Sequence, residues 1–288
     1  MKCNTFSLII LAALLLNCQQ LNKQNTIDFE FVSGVLIVNG KVGDSIQGIF
    51  QLDTGANNSF IRKKIADKLN IVPSGMVKGP GPGGKIFEVP TAEIESISIG
   101  GNTTTLSACA IMDLGNQKVP ESFIGLIGSD YLKNFVVTLD FKRSVLVFED
   151  TQSLNTRLLA GTKIPIKVNK NAPNIPYMNV CINDSLSGDY IFDTGVPTTH
   201  LIYEDFLALG LNKDMKEIKK KSQDILKSHF ETYETTIASF GLNDSLTIHN
   251  LEIATCENCN GLIGNNFISN FLVTLNYKEK YALFKKVR

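Results

Sequence analysis

The sequence predicts an all-β fold of two pseudo-symmetric β-barrel-like lobes, and three features repeated along its 288 residues predict it. The tripeptide Asp-Thr-Gly stands at Asp53-Thr54-Gly55 and again at Asp193-Thr194-Gly195. Gly-Leu-Ile-Gly follows each at a similar distance, at 125–128 and at 261–264. A pair of apolar, β-branched runs separated by a polar turn then closes each copy: 135–140 with 145–148, and 271–276 with 281–284. One order of motifs met twice in a chain is the mark of a duplicated supersecondary unit.

Upstream of the first aspartate, residues 48–52 alternate as a half-buried strand does, and 189–192 do the same before the second, so each strand ends at its aspartate. Downstream, apolar residues at 60–69 and 203–209 recur near helical spacing, which predicts one short helix after each Asp-Thr-Gly turn. Most other apolar runs are short and bounded by Gly, Asn or Pro, as in barrel-like β lobes. The polar stretch 151–161 is the natural joint, leaving one lobe at 27–150 and another at 162–288, each of ordinary domain size.

Composition narrows the function classes. Hydrophobic residues make up 43% of the chain, enough for a sizeable core. Lys plus Arg number 28, as do Asp plus Glu, and no basic stripe offers a nucleic acid its footprint; Lys219-Lys220-Lys221 reads as solvated surface. Lys2 precedes an apolar run at 6–16, too short for a bilayer-spanning helix of about 20 residues, and the segment 1–17 reads as an export signal. Leu14-Leu15-Leu16-Asn17-Cys18 resembles a bacterial lipoprotein cleavage site. That resemblance implies a lipid on Cys18, a polar tether over 18–26, and a membrane anchor in the periplasm or at the cell surface. Asn17 departs from the usual small residue, and an ordinary signal peptide or uncleaved anchor is the alternative.

A single Asp-Thr-Gly at a strand end is explained by turn conformation alone. Two copies in matching contexts point elsewhere, because pseudo-symmetric lobes would bring both turns to one interface and set Asp53 beside Asp193. Two close carboxyls cannot both ionise freely. One keeps a proton and serves as general acid, while its charged partner acts as general base on a water between them. This suits peptide hydrolysis with no metal and no cofactor. Thr54 and Thr194 supply hydroxyls to brace the turns, and Gly55 and Gly195 let the backbones approach closely.

Leu52-Asp53-Thr54-Gly55-Ala56 with Ile124-Gly125-Leu126-Ile127-Gly128 resembles the retropepsin-like aspartic proteases, and the doubling in one chain is pepsin-like. The resemblance runs from about residue 30 to the C-terminus. It implies catalytic roles for Asp53 and Asp193, an interlock of Thr54 with Thr194 beneath them, and a peptide or protein substrate. It also implies a glycine-rich flap, for which Gly79-Pro80-Gly81-Pro82-Gly83-Gly84 is the candidate. The sequence departs from pepsins in three places. Val196-Pro197-Thr198 stands where they carry Ser or Thr after the glycine, Ala56 is retropepsin-like, and the flap has no tyrosine. Residues 219–234 have no glycine cluster, so only one flap is expected.

Four cysteines remain beyond Cys3 and Cys18, namely Cys109, Cys181, Cys256 and Cys259. Oxidising compartments favour bridges, and the close pair Cys256 and Cys259 reads as a structural disulfide rather than a zinc or redox site, whose further ligands are not clustered. His200 and His229 are isolated, and no Ser-His-Asp or Cys-His set can be assembled by spacing. The reading is therefore a monomeric, exported aspartic endopeptidase without cofactor. The alternative is a catalytically silent relative that binds peptides or surface partners in the same cleft.

Overall fold

The computed structural model describes residues 26–81, 86–115, 117, 119–149, 161–214, 219–223 and 229–287. The expected export signal, Cys18 and most of the joint fall outside them. The fold is mostly β, with a few short helices, and among the described residues no helix is long and apolar enough to cross a membrane.

The N-terminal half comprises β1 (Thr26–Val32), β2 (Val35–Val42), β3 (Ile46–Leu52), β4 (Phe60–Arg62), α1 (Lys63–Lys68), β5 (Gly75–Pro80), β6 (Ile86–Ile99), β7 (Asn102–Met112), β8 (Phe123–Ile127), α2 (Ser129–Leu132), β9 (Val136–Asp140) and β10 (Val145–Glu149). The C-terminal half comprises β11 (Thr162–Pro165), β12 (Lys167–Asn169), β13 (Ala172–Ile182), β14 (Leu186–Phe192), β15 (Thr199–His200), α3 (Tyr203–Ala208), β16 (Lys219–Gln223), β17 (His229–Gly241), β18 (Thr247–Thr255), β19 (Leu262–Ile263), α4 (Asn265–Ile268), β20 (Phe271–Asn276) and β21 (Tyr281–Lys286).

Two sheets form, and their strand orders repeat one pattern. Within the first, β2-β3-β8-β4-β7-β6-β5 run side by side, and the second reads β13-β14-β19-β15-β18-β17-β16. In each, a parallel pair sets the Asp-bearing strand beside the Gly-Leu-Ile-Gly strand: β3 on β8 and β14 on β19. In each, a further pairing, β2 with β6 and β13 with β17, folds the sheet back on itself. Burial follows the sequence pattern. β2 alternates buried and half-exposed residues, whereas β8 and β9 are buried on both faces, which is why they read as unbroken apolar runs.

The halves are joined by one continuous stretch of sheet, β11-β21-β20-β9-β10-β1. β9 and β20 pair antiparallel with Thr138 opposite Thr274, Asp140 opposite Leu272 and Val136 opposite Asn276. The pairing is thus palindromic, and the two threonine hydroxyls share a hydrogen bond of 2.8 Å at its centre. A single apolar core runs across this junction, from Leu36 and Phe50 through Leu139 and Val273 to Phe192 and Phe284.

Three local details differ from the sequence expectation. The segment 60–69 is not helical throughout: Phe60–Arg62 is a strand, because it completes the sheet between β7 and β8, and only Lys63–Lys68 is helix. Short helices also follow each Gly-Leu-Ile-Gly, α2 and α4, too brief to leave a periodic signal. Finally, both halves carry the hairpin that was expected once. β5 pairs with β6 and β16 pairs with β17 at the same end of the same strand order.

Candidate active site

Asp53 and Asp193 each stand one residue beyond the strand that delivers them, β3 or β14, and their backbone N–H groups donate to Ile127 O and Ile263 O of the neighbouring Gly-Leu-Ile-Gly strands. The two turns meet. A Cβ built on Gly55 would lie 2.4 Å from Asp193 Cγ, and one built on Gly195 would lie 2.4 Å from Asp53 Cγ. Each carboxyl is packed against the glycine of the opposite turn, so no other residue fits at either position. The carboxyls are themselves hydrogen-bonded to one another.

Beneath them the threonines interlock reciprocally. Thr54 N donates to Thr194 Oγ1 at 3.1 Å and Thr194 N donates to Thr54 Oγ1 at 3.0 Å. Each hydroxyl then crosses to the other half's strand: Thr54 Oγ1 donates to Phe192 O at 2.6 Å and Thr194 Oγ1 to Leu52 O at 3.0 Å. Both side chains are fully buried, so these four bonds have no water competing for them. They fix the turns, and through them the carboxyls, across the junction.

The electrostatics are less symmetric than the backbone. Asp53 Oδ1 accepts from Gly55 N at 2.8 Å and from Ala56 N at 3.0 Å, whereas Asp193 Oδ1 accepts from Gly195 N at 2.7 Å. Burial raises the pKa of both. For Asp53 the bond from Asp193 and the two backbone donors oppose that rise. Asp193 is pushed well above the ordinary carboxyl range by burial and then by the charge of Asp53. Two backbone donors against one favour the charged form at Asp53 and leave the shared proton on the Asp193 side of the pair.

A second layer supports the turns, and it too is written twice. Ser129 Oγ donates to Thr54 O at 2.7 Å, and Asn265 Nδ2 donates to Thr194 O at 2.8 Å. Asp130 Oδ1 accepts from Ser59 N and Ser59 Oγ, as Asn266 Oδ1 accepts from Thr199 N and Thr199 Oγ1. Those hydroxyls in turn receive Gly128 N and Gly264 N, closing each turn onto its glycine strand. Tyr277 OH shares a bond of 3.2 Å with Ser129 Oγ; burial, and secondarily the Asp53 charge, push its hydroxyl pKa upward.

Residues 38–131, which hold the first turn and its support, match a protein-family model described as aspartyl protease. That match supports a relation to the aspartic protease superfamily. No curated protein matches the sequence. Among solved structures, conglutin gamma, a basic 7S globulin from lupine seeds, is similar in fold, with TM-score 0.53 and 12% identity over 91% of this chain and 94% of that one. Basic 7S globulin from soybean aligns with TM-score 0.49 and 11% identity over the same shares.

Gly79 pairs with Phe87 near the tip of the β5–β6 hairpin, and Gly81 lies just beyond; Gly83 and Gly84 fall outside the described residues. Cys256 and Cys259 form a disulfide, while Cys109, buried, and Cys181, exposed, are free thiols. Among the described residues, no group of three or more His, Cys, Asp or Glu is placed to hold a metal ion. Sequence reading missed the supporting set, Ser59, Ser129, Asp130, Thr199, Asn265 and Asn266. Its signal was present: a polar pair, Ser129-Asp130 or Asn265-Asn266, directly follows each Gly-Leu-Ile-Gly.

The odd Val196-Pro197 turn has a neighbour that explains it. A Cβ on Gly34, at the tip of the β1–β2 hairpin, would lie 2.4 Å from Pro197 Cβ, and Gly34 O accepts from Asn265 Nδ2 at 2.7 Å. Asn57, one residue beyond Ala56, instead receives Asn174 of β13: Asn174 N reaches Asn57 Oδ1 at 3.2 Å and Asn174 Nδ2 reaches Asn57 O at 3.1 Å. Each turn is thus held by a strand pair of the opposite half, one through apolar contact and the other through amides.

Proposed function

We propose that the protein is an aspartic endopeptidase whose two halves are pepsin-like lobes flanking a peptide-binding cleft. The observation that carries this reading is the reciprocal threonine interlock beneath two facing carboxyls, one met by two backbone donors and the other by one. Asp53 takes a proton from the attacking water while Asp193 gives its proton to the carbonyl oxygen, and a C–O bond forms. The tetrahedral intermediate then collapses with cleavage of C–N, a proton passing to the leaving amine. Two hairpins, β5–β6 and β16–β17, would stand over the cleft as flaps. The substrate is an unfolded peptide segment. The protein acts as a monomer tethered outside the cytoplasm through a lipid on Cys18.

Digestion of a denatured-protein library by the wild type and by Asp53→Asn and Asp193→Asn tests this. New peptide ends are expected from the wild type and from neither variant. Cleavage that persists in both variants sets the chemistry elsewhere. A second reading, peptide binding without turnover, is favoured by the smaller set of donors around Asp193. It predicts peptide affinity in all three proteins and new ends in none.

A further inference from the structure

Cross-strand register places equivalent residues of the two halves in matching rows beside the turns. In the N-terminal half, Phe60 pairs with Leu126 on one side and with Ala110 on the other, and Ala110 pairs with Thr91. In the C-terminal half, His200 pairs with Leu262 and Ala254, and Ala254 pairs with Glu234. Residues directly opposite in register share a face of the sheet. The rows are therefore Leu126-Phe60-Ala110-Thr91 and Leu262-His200-Ala254-Glu234.

The first row has a known surround. Phe60, Ala110 and Leu126 join Met112, Leu114 and Phe123 in a small apolar cluster separate from the main core. Ala56, directly after the Asp53 turn, packs against this cluster, as do Val77 and Val89 from the β5–β6 hairpin. This face therefore fills the space between the carboxyl-bearing turn and its hairpin. All four members of the row are closed off, at 5–7% exposure.

The second row occupies the same place between the Asp193 turn and the β16–β17 hairpin, but its chemistry is inverted. A histidine stands where the first half has Phe60, and a glutamate where it has Thr91. His200 and Leu262 are half-buried and Glu234 is exposed, so the row is open. His200 Nδ1 is buried with no hydrogen-bond partner among the described residues. A buried, unpaired ring nitrogen is costly unless something bonds to it. Glu234 pairs with Lys220, but both side chains are about half exposed, and such an ion pair is weak and easily exchanged. Burial lowers the His200 pKa to about 4, against the opposing pull of Glu234, so the imidazole is neutral above that pH.

We infer that His200 and Glu234 form a polar recess that selects a substrate side chain carrying a hydrogen-bond donor, at a place where the first half is closed by the cluster around Phe60. The inference rests on the proposed cleft and adds its specificity: a donor such as Gln, Lys or Arg on the C-terminal-half side. The two sides of the cleft are thus not interchangeable, and a bound peptide has one preferred direction.

A combinatorial octapeptide library read by mass spectrometry, with fluorescence anisotropy of matched Gln-, Arg- and Leu-containing octapeptides, tests this in the wild type, His200→Phe and Glu234→Gln. The wild type is expected to prefer a donor at one position. His200→Phe, which installs the residue of the other half, should move that preference toward Leu by about tenfold, the size of one hydrogen bond. Glu234→Gln, at an exposed position that folding tolerates, should lower the preference for Arg over Gln. A wild type that shows no preference for a donor at any position, or variants that share its profile, overturns the inference. Selective binding without cleavage overturns the endopeptidase reading alone, and absence of any peptide binding by the wild type overturns both.

Discussion

The Asp53 and Asp193 turns share three residues, one interlock and one second layer, yet they hold their carboxyls differently. Asp53 is met by two backbone donors and by the proton of its partner, Asp193 by one backbone donor and a neighbouring negative charge. The divergence begins at the residue after glycine, where Ala56-Asn57 accepts amides from β13 and Val196-Pro197 presses on Gly34. Symmetry is kept where each half needs the other, at the threonines. It is lost where each turn meets a different neighbour, and there the two carboxyls are told apart.

The comparison can be broken most severely at the carboxyls. Asp53→Asn and Asp193→Asn should each lower kcat by about 10²–10⁴-fold or more, since each removes one partner of the proton exchange. Equal residual activity in one variant and the wild type would show that the pair does not act as a unit. The interlock is the symmetric part, and Thr54→Val and Thr194→Val should cost similar stability. Each strands a buried N–H and a buried carbonyl, for about 2–3 kcal/mol in denaturant unfolding. A large inequality between the two would mean that one turn is held by other means.

Smaller effects separate the two outer supports. Gly34 has φ +82° and its missing Cβ faces Pro197, so Gly34→Ala should destabilise by about 1–2 kcal/mol. Adding Pro197→Gly, which removes the Cβ that the new methyl would meet, should restore part of that loss in a double-mutant cycle, and no restoration would assign the whole cost to backbone strain. The smallest expected effect is a gain. A carboxyl whose pKa is raised by folding binds its proton more tightly in the folded state. Its contribution is therefore fully present below the unfolded value of about 3.8 and is lost as pH rises toward the folded value. At neutral pH Asp193 thus opposes folding, and Asp193→Asn should raise Tm by about 2–4 °C at pH 7, more than Asp53→Asn does, with no gain near pH 3. A larger gain from Asp53→Asn would reverse the assignment of the proton.

Much of this was legible in the sequence because strands with one buried face alternate visibly and because the duplication marks equivalent positions. The strand into each aspartate, the two closing hairpins and the threonine contact all follow from motifs that occur twice. What was not legible depends on contacts between distant segments. Phe60–Arg62 has the spacing of a helix but is drawn into the sheet by β7 and β8. The β16–β17 hairpin lacks the glycines by which the first was recognised, and its existence is decided by pairing with β18. His200 reads as an isolated histidine until register shows that it stands where the other half has a phenylalanine.

The seam between β9 and β20 is nearly a copy of itself on its two sides, since pairing is palindromic about Thr138 and Thr274. An N-terminal half produced alone would bare Val136–Asp140, a strand now wholly buried, and an apolar strand edge seeks a mate. The best mate on offer is the same strand of a second molecule, running the other way. In that homodimer two Asp53 side chains would face each other over two Thr54 hydroxyls, and a centre that now needs both ends of one polypeptide would be rebuilt from two copies of a single end.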